Sequence, residues 1–209
     1  MTDRFVYVVD DDRDVRLTIS HLLADAGLAS HPFASGADFL SGLRELEPGC
    51  ILLDIRMPEP DGLQVMEELQ RCGVDWPAIV MTGHGDVPLA VRAMKLGAID
   101  FLQKPFASEE LLRCFERGFA LLAERTATAD RKRQARERVD LLTVRETEVL
   151  QGLMAGLSNK LLADRLGISL RTVEMHRGNM MDRLRVDNLA EALTLAIQAG
   201  LAPDRPRAH

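Results

Sequence analysis

The sequence predicts an α/β domain with a parallel sheet, followed by a small domain built only from helices. Five short apolar runs alternate with helix-period segments through the first part of the chain, after which strand signals stop. A polar, basic stretch separates the two regions. A length of 209 residues suits two domains of these sizes. We expect the domains at residues 1–122 and 141–209. The linker at 123–140 should be partly helical, as an extension of the fifth helix.

The α/β prediction depends on the order of the elements. The predicted strands, rich in β-branched residues, lie at residues 5–10, 28–33, 50–54, 78–82 and 98–102. The predicted helices lie at residues 13–26, 35–46, 62–71, 86–96 and 107–123. Because neighbouring parallel strands need long crossover connections, this alternation favours a five-stranded parallel sheet that is doubly wound, with helices on both faces.

The linker and the second domain are predicted from helix signals. Residues 123–140 are polar, alanine-rich and basic, and no apolar stripe in them continues into a core. Thr143 and Glu146 have the spacing of a capping box, which opens a helix that ends at Gly156. Further helices are predicted at residues 158–166, 170–184 and 187–199. The second domain is therefore predicted to consist of four short helices.

The composition is that of an ordinary globular protein, with 46% hydrophobic and 28% charged residues, which excludes disordered and fibrous classes. The first residues show no leader pattern, and no apolar run approaches the length of a membrane span, so we expect a cytoplasmic location. The three cysteines are scattered and contain no CxxC pair. Neither a disulfide framework nor a zinc site is therefore indicated.

The net charge of −6 is unevenly distributed along the chain. Residues 1–123 hold 11 Lys/Arg against 20 Asp/Glu, residues 124–138 hold 6 against 3, and residues 139–209 hold 9 against 9. The acidic first domain should repel nucleic acid. The neutral second domain can approach nucleic acid if its cations share one face.

Polar side chains stand at the ends of four predicted strands. Asp10 and Asp11 end the first strand, Asp54 the third and Thr82 the fourth, and Lys104 follows the fifth. Ligands of open parallel sheets bind outside the carboxyl ends of the strands. Crowded carboxylates repel one another unless a cation shares the site, and hard oxygen ligands suit Mg²⁺. The pattern therefore predicts a pocket for a metal ion and a phosphoryl group.

At these residues the sequence resembles the receiver domain of two-component response regulators. The similarity covers residues 3–122 and lies in VVDDD, LLDIRMPEPDG, VMTGHGD and FLQKPF. It implies the strand order 2-1-3-4-5. It also implies that Asp54 is the phosphoacceptor and that Thr82 and Lys104 act with it in catalysis. The implied Mg²⁺ ligands are Asp11, Asp54, the backbone carbonyl of Arg56 and, as an outer ligand, Asp10.

The receiver resemblance also implies a switch. After phosphorylation, Thr82 gains a hydrogen bond to the phosphoryl group and Phe101 moves inward behind it. A cis peptide bond is implied between Lys104 and Pro105, which proline permits at small cost.

The second domain, over residues 139–204, resembles the LuxR-type helix-turn-helix domain. The similarity lies in LLTVRETEVLQGLMAGLSNKLLADRLGISLRTVEMHRGNMMDRL. Val173, Met180 and Leu184 share one face of their helix, so we expect them to pack inward. The resemblance places the opposite face of that helix in the major groove of DNA.

The implied DNA-binding residues lie on two of the predicted helices, and they are Asn159, Lys160, Arg171, Thr172, Glu174, Met175, His176, Arg177, Gly178 and Asn179. Glu174 can accept a bond from cytosine, and Asn179 can read adenine or hold phosphate. The remaining polar residues would contact phosphates, which set register rather than sequence.

The domain order is that of the NarL/FixJ family, and TGHGDVPLAVRAMKLGAIDFLQKPF with GLSNKLLADRLGIS indicates the FixJ-like branch. Membership implies a sensor histidine kinase as phosphodonor, homodimerisation on phosphorylation, and promoter binding with recruitment of RNA polymerase. The implied dimer face spans residues 86–102, with the candidates Ala90, Arg92, Ala93, Lys95 and Leu96. The last helix carries an apolar stripe that can serve as a second dimer surface, as part of the core of its own domain, or as both. The residues of this stripe are Leu189, Leu193 and Ile197.

Two other functions fit parts of the pattern. An aspartate-nucleophile phosphatase uses similar chemistry, but it needs a second carboxylate two residues after the nucleophile, and Arg56 stands there. In receivers, that position and the position of His84 tune the loss of the phosphoryl group. A metal-binding adaptor that acts through protein contacts without DNA is the other alternative. We expect a regulator that assists only its own phosphorylation and dephosphorylation.

Overall fold

A computed structural model describes residues 4–83 and 87–203, except for the side chain of Val87. By its internal contacts the chain divides into two compact units, Met1–Arg125 and Thr126–His209. Within the described part of the chain, no helix combines the length and the apolar character that a membrane span requires. The cysteines Cys50, Cys72 and Cys114 are all free thiols.

The first unit alternates strands and helices. Its strands are β1 (Phe5–Val9), β2 (Ala29–Phe33), β3 (Cys50–Asp54), β4 (Ala78–Thr82) and β5 (Asp100–Gln103). Its helices are α1 (Arg13–Asp25), α2 (Gly36–Gly42), α3 (Gly62–Arg71), α4 (Val87–Lys95) and the start of α5 (Ser108–Val139). A single 3-10 turn, Leu43–Glu45, extends α2.

The strands form one parallel sheet in the order β2-β1-β3-β4-β5, which confirms the predicted fold. Alternate residues of each central strand point to opposite faces of the sheet. Val9, Ile51 and Val80 belong to one buried cluster, which contains side chains of α2, α3 and α4. Val8, Leu52 and Ile79 belong to a second cluster with side chains of α1 and α5. Burial of both faces explains why the central strands are almost wholly apolar.

Helix α5 continues to Val139, so the segment that was expected to be partly helical as an extension of the fifth helix is helical almost throughout. The added segment lacks Gly and Pro, and ion pairs at helical spacing link Arg133 to Asp130 and Glu137. The expectation that no apolar stripe in this segment reaches a core is wrong. Ala135 and Val139, four residues apart, are both buried in the core of the second unit.

The second unit adds the helices α6 (Val144–Met154), α7 (Asn159–Leu166), α8 (Leu170–Leu184) and α9 (Leu189–Gln198). The predicted capping box is present: the Thr143 N–H donates to Glu146 Oε2 at 2.8 Å, and the Glu146 N–H donates to Thr143 Oγ1 at 3.4 Å. Gly167 ends α7 in the left-handed conformation, φ 64°, which glycine adopts without strain. Val173, Met180 and Leu184 of α8 are fully buried in the core, as expected.

Candidate functional site

The parallel sheet brings three carboxylates together at the carboxyl ends of β1 and β3. Asp54 is the last residue of β3, and Asp10 and Asp11 directly follow β1. Each contributes one oxygen to a group whose members all lie within 4.8 Å of one another. Asp10 and Asp54 are buried, and Asp11 is exposed. The pocket therefore has one solvent-facing and two inward-facing carboxylates.

Lys104 joins the two buried carboxylates. Its Nζ donates to Asp10 Oδ2 and to Asp54 Oδ2, each at 2.7 Å. Burial raises the pKa of Asp10, and the hydrogen bonds from Lys104 and from the Asp12 N–H offset only part of that effect. Burial alone would lower the pKa of Lys104, but its bonds to Asp10 and Asp54 outweigh burial and raise it. Lys104 is therefore held as an ammonium between two carboxyl groups.

Backbone amides fix the other oxygen of each buried carboxylate. The Asp12 N–H donates to Asp10 Oδ1 at 2.8 Å, and the Arg56 N–H donates to Asp54 Oδ1 at 3.0 Å. Asp12 itself is the N-cap of α1 and accepts from Asp14 N at 2.8 Å. Three consecutive aspartates thus have different positions: Asp10 is buried at the pocket, Asp11 is exposed beside it, and Asp12 begins the helix.

Two residues that the sequence did not single out also shape this pocket. Arg16 Nη1 donates to the backbone carbonyl of Asp10 at 2.5 Å, which ties α1 to the end of β1. Gly62 packs against the backbone of Asp54: a Cβ there would lie 2.3 Å from the Asp54 carbonyl oxygen. The glycine in the sequence PEPDG could have indicated the close approach of Gly62 to Asp54. No signal marked Arg16 among the other arginines.

The remaining predicted pocket and switch residues lie on β4 and β5. Thr82 is buried at the end of β4, and its carbonyl accepts from the Lys104 N–H at 2.8 Å. Phe101 is exposed and lines a shallow apolar depression of about 320 Å³ against α4. The peptide bond between Lys104 and Pro105 is cis, as expected, and Glu59–Pro60 is also cis. His84 lies outside the described residues.

The donor set of the pocket suits a hard divalent cation. Asp10, Asp11 and Asp54 offer only oxygen ligands within a small volume. One ammonium, that of Lys104, faces two of these three carboxylates. A divalent cation could take oxygen ligands from this cluster and compensate its remaining negative charge.

The outer surface of α8 carries most of the predicted DNA-binding residues. Those that are exposed are Arg171, Glu174, Met175, Gly178 and Asn179, whereas Thr172, His176 and Arg177 are half-buried. On α7, Lys160 is exposed and Asn159 is half-buried. Arg177 Nη1 donates to Asn159 Oδ1 at 3.5 Å, so these two helices share one polar surface.

The candidate dimer residues on α4 are only partly at the surface. Ala90 and Ala93 are buried and offer almost no surface to a partner. Of the other candidates, Arg92 and Lys95 are exposed and Leu96 is half-buried. The exposed apolar side chains of this region are Val91 and Met94, with Phe101 on β5. On α9, Leu189 and Leu193 pack against the core of their unit, and Ile197 is exposed.

The doubly wound sheet with its aspartate–lysine pocket, followed by a helix-turn-helix unit, defines a transcriptional response regulator. Residues 6–116 match the family model for the response regulator receiver domain. Residues 140–196 match the model for bacterial regulatory proteins of the luxR family.

Relatives of known name share both parts of the chain. The transcriptional regulatory protein FixJ of Azorhizobium caulinodans is 44% identical over 95% of this chain and 94% of its own length. FixJ of Bradyrhizobium diazoefficiens is 42% identical over 97% of this chain and 99% of its own length. The chain belongs to the FixJ-like transcriptional response regulators. Its relatives are named as regulators rather than enzymes, which argues against the phosphatase alternative.

Solved structures agree with this assignment. The response regulator StyR superimposes with a TM-score of 0.82 and 41% identity, over 94% of this chain and all of that one. Full-length FixJ from B. japonicum gives a TM-score of 0.60 and 40% identity, over 96% of this chain and 99% of that one.

Proposed function

We propose that Asp54 accepts a phosphoryl group from a sensor histidine kinase, and that the phosphorylated chain dimerises and activates transcription from promoter DNA. One observation carries the choice of Asp54. Both Asp10 and Asp54 bond to Lys104, but the Asp10 side chain has no exposed surface, whereas 11% of the Asp54 side chain is accessible. Of the two lysine-bound carboxylates, only Asp54 can be reached by a phosphodonor.

The surroundings of Asp54 fit nucleophilic attack on phosphorus. A carboxylate oxygen of Asp54 forms the new bond while the phosphodonor's leaving group departs. The Lys104 ammonium, 2.7 Å from Asp54 Oδ2, is placed to attract phosphoryl oxygens and lower the repulsion between the two anions. The Arg56 N–H holds the other carboxylate oxygen and fixes the orientation of the side chain.

Mg²⁺ is the metal that this pocket would hold. Its direct ligands would be Asp11, Asp54 and the backbone carbonyl of Arg56. Asp10 would contact the ion through a metal-bound water. When bound, the ion neutralises charge on the carboxylates and on the incoming phosphoryl oxygens. The cluster of carboxylate oxygens within 4.8 Å of one another supports this assignment.

The response to phosphorylation would pass from Thr82 to the surface at α4 and β5. Thr82 would donate its hydroxyl to the acyl phosphate, and Phe101 would leave its exposed position and move inward. Val91 and Met94, exposed on α4 beside Phe101, give this face the apolar character of a dimer interface. Ile197 on α9 would extend dimer contacts to the second unit.

The exposed surface of α8 would enter the major groove, with Glu174 and Asn179 at base edges. Phosphate contacts would come from the other polar residues of that surface, which are Asn159, Lys160, Arg171, Thr172, His176 and Arg177. Met175 and Gly178 would lie against the groove. A dimer on two half-sites would recruit RNA polymerase at the promoter, in the cytoplasm where these partners act.

Acetyl phosphate with Mg²⁺, followed by intact-mass spectrometry, tests the phosphoacceptor. We expect one added phosphoryl group on the wild-type chain and none on Asp54→Asn. Asp12→Asn is the matched control, because Asp12 caps α1 and asparagine caps equally well. No adduct on the folded wild-type chain, or an adduct that persists in Asp54→Asn, would overturn the proposal.

A further inference from the structure

The last turns of α5 belong to the core of the helical unit. Ala135 and Val139 are buried there, and Arg138 lies between them in sequence. The Arg138 guanidinium donates through Nη2 to the backbone carbonyls of Leu184 and Arg185, the latter at 2.8 Å. Leu184 is the last residue of α8, so the end of α5 holds the end of the helix that carries the proposed DNA-reading surface.

The contact meets a specific need of α8. The final carbonyls of a helix have no intrahelical donors, and the helix dipole makes this end negative. Arg185 ends α8 in the left-handed conformation, φ 50°, which an L-residue seldom adopts. A guanidinium at this end supplies both the missing donors and a compensating positive charge.

A second arginine holds the same end of α8 from another direction. Arg183 Nε lies 3.2 Å from Glu146 Oε1, and Arg183 Nη1 donates to the Leu141 carbonyl at 3.4 Å. Glu146 is buried and belongs to the capping box at the start of α6. The carboxyl end of α8 is thus anchored to both α5 and α6, while its outer face stays exposed.

We propose that Arg138 is a positioning residue for DNA recognition: by holding the carboxyl end of α8, it sets the direction in which the exposed face of α8 meets the groove. The inference rests on the proposed function of that face. Arg138 is poorly placed to bind phosphate directly, because it is half-buried, its Nε is shut off from solvent, and its Nη2 is engaged by carbonyls. It acts through α8.

With Arg138 in this role, the DNA-binding unit includes the last turns of α5. Because α5 is one helix from Ser108 to Val139, the residue that holds α8 lies on a helix that begins in the receiver part of the chain. A DNA-binding fragment that starts at residue 141 would lack Arg138 and the two buried residues beside it.

The test compares full-length variants after treatment with acetyl phosphate and Mg²⁺. The probes are a duplex that the wild-type chain selects from a random-sequence pool and a scrambled duplex of equal length. Arg138→Met keeps the apolar stem and removes the donors, and Arg138→Lys keeps a positive charge. Arg136→Met is the matched control, because Arg136 is exposed on the same helix and pairs only with nearby Asp140 among the described residues.

We expect Arg138→Met to weaken binding to the selected duplex by about tenfold, the discrimination of one good base contact, and binding to the scrambled duplex by less than about twofold. Arg138→Lys should recover part of the loss, and Arg136→Met should leave the ratio of the two affinities unchanged. The slope of the logarithm of affinity against the logarithm of salt concentration should be the same for Arg138→Met as for the wild-type chain. Amide exchange in the last turn of α8 should become faster in Arg138→Met and not in Arg136→Met.

Each contrary result has a separate meaning. An unchanged affinity ratio in a folded Arg138→Met chain overturns the positioning role. A salt slope reduced by about one shows a direct phosphate contact instead, which also overturns it. If Arg138→Met does not fold, Arg138→Lys serves as the test instead. The positioning role is then overturned if this variant has the same affinity ratio for the two duplexes as the wild-type chain and the same amide exchange in α8. If the wild-type chain selects no duplex, the proposed DNA-binding function itself fails.

Discussion

Gly62→Ala should damage the proposed phosphoacceptor site without altering any charged group. Gly62 begins α3, and its N–H donates to the Ile55 carbonyl at 3.1 Å. A Cβ at this position would lie 2.3 Å from the Asp54 carbonyl oxygen and 2.8 Å from Ile55 Cα. Both neighbours are backbone atoms, so no side-chain rotation can relieve the clash.

The size of the effect follows from these distances. Ordinary van der Waals contact begins near 3.4 Å, so the backbone at Asp54 and Ile55 or the start of α3 must move by about 1 Å. Helix α3 resists this movement because Asp61 and Gln64 form a capping box at its first turn. We expect a loss of about 1–3 kcal/mol in the free energy of unfolding. If Asp54 is the nucleophile, as proposed, a displacement of about 1 Å at this residue should slow phosphorylation about a hundredfold.

The assay is the rate of phosphoryl transfer from acetyl phosphate with Mg²⁺, read by intact mass, together with urea unfolding of the same samples. Gly42→Ala is the control, since a Cβ there would meet only the Phe33 ring, at 3.9 Å. That variant should keep the wild-type rate. A Gly62→Ala chain with wild-type stability and a wild-type rate would refute the reasoning from close packing.

Three further predictions follow from single residues. Lys104→Met leaves Asp10 and Asp54 without their shared ammonium. Because a quarter of the Lys104 side chain is exposed, we expect the free energy of unfolding, measured in urea without Mg²⁺, to fall by only about 2–3 kcal/mol. An unchanged urea midpoint would contradict this prediction. Burial raises the pKa of the Cys50 thiol to about 12 and also raises the pKa of the Cys114 thiol, which keeps both thiols protonated and unreactive. At pH 8 a thiol reagent should therefore modify only the exposed Cys72 until urea is added. More than one fast-reacting thiol would show that the core opens. Gly178→Ala adds a Cβ with no atom within 4 Å and should stabilise the helical unit by about 0.5–1 kcal/mol, measured by thermal unfolding. If α8 enters the groove, the added methyl group should also weaken DNA binding. A lower stability would contradict the open space found around Gly178.

The arrangement of the pocket was predictable because the carboxyl ends of parallel strands share one edge of a sheet. That rule places Asp10, Asp54 and Thr82 together without knowledge of any distance. It does not separate the roles of three consecutive aspartates. The difference between buried Asp10 and helix-capping Asp12 depends on where β1 ends and α1 begins, and three identical residues carry no signal for that boundary.

The residues of the proposed dimer face were harder to predict than those of the pocket. Ala90 and Ala93 are small apolar residues that suit either a core or an interface, and only packing against the sheet decides between them. Val91 and Met94 are the exposed apolar residues on that helix, and the candidates Arg92 and Lys95 are exposed as well.

The burial of the last turns of α5 could not be predicted because their partners are distant in sequence. Two apolar residues, Ala135 and Val139, within a polar stretch do not raise the hydrophobic periodicity enough to indicate a buried face. Arg138 likewise resembles its solvated neighbours until the end of α8 lies beside it. Contacts between residues more than 40 positions apart depend on the fold and leave no local pattern.

The affinity of the full-length chain for one selected duplex, measured before and after treatment with acetyl phosphate and Mg²⁺, tests the central claim most directly. Phosphorylation of Asp54 should raise the affinity through dimerisation on two half-sites, and Asp54→Asn should show no change on the same treatment. Equal affinities before and after complete phosphorylation of the wild-type chain, or a rise that persists in Asp54→Asn, would contradict a DNA-binding switch at this aspartate.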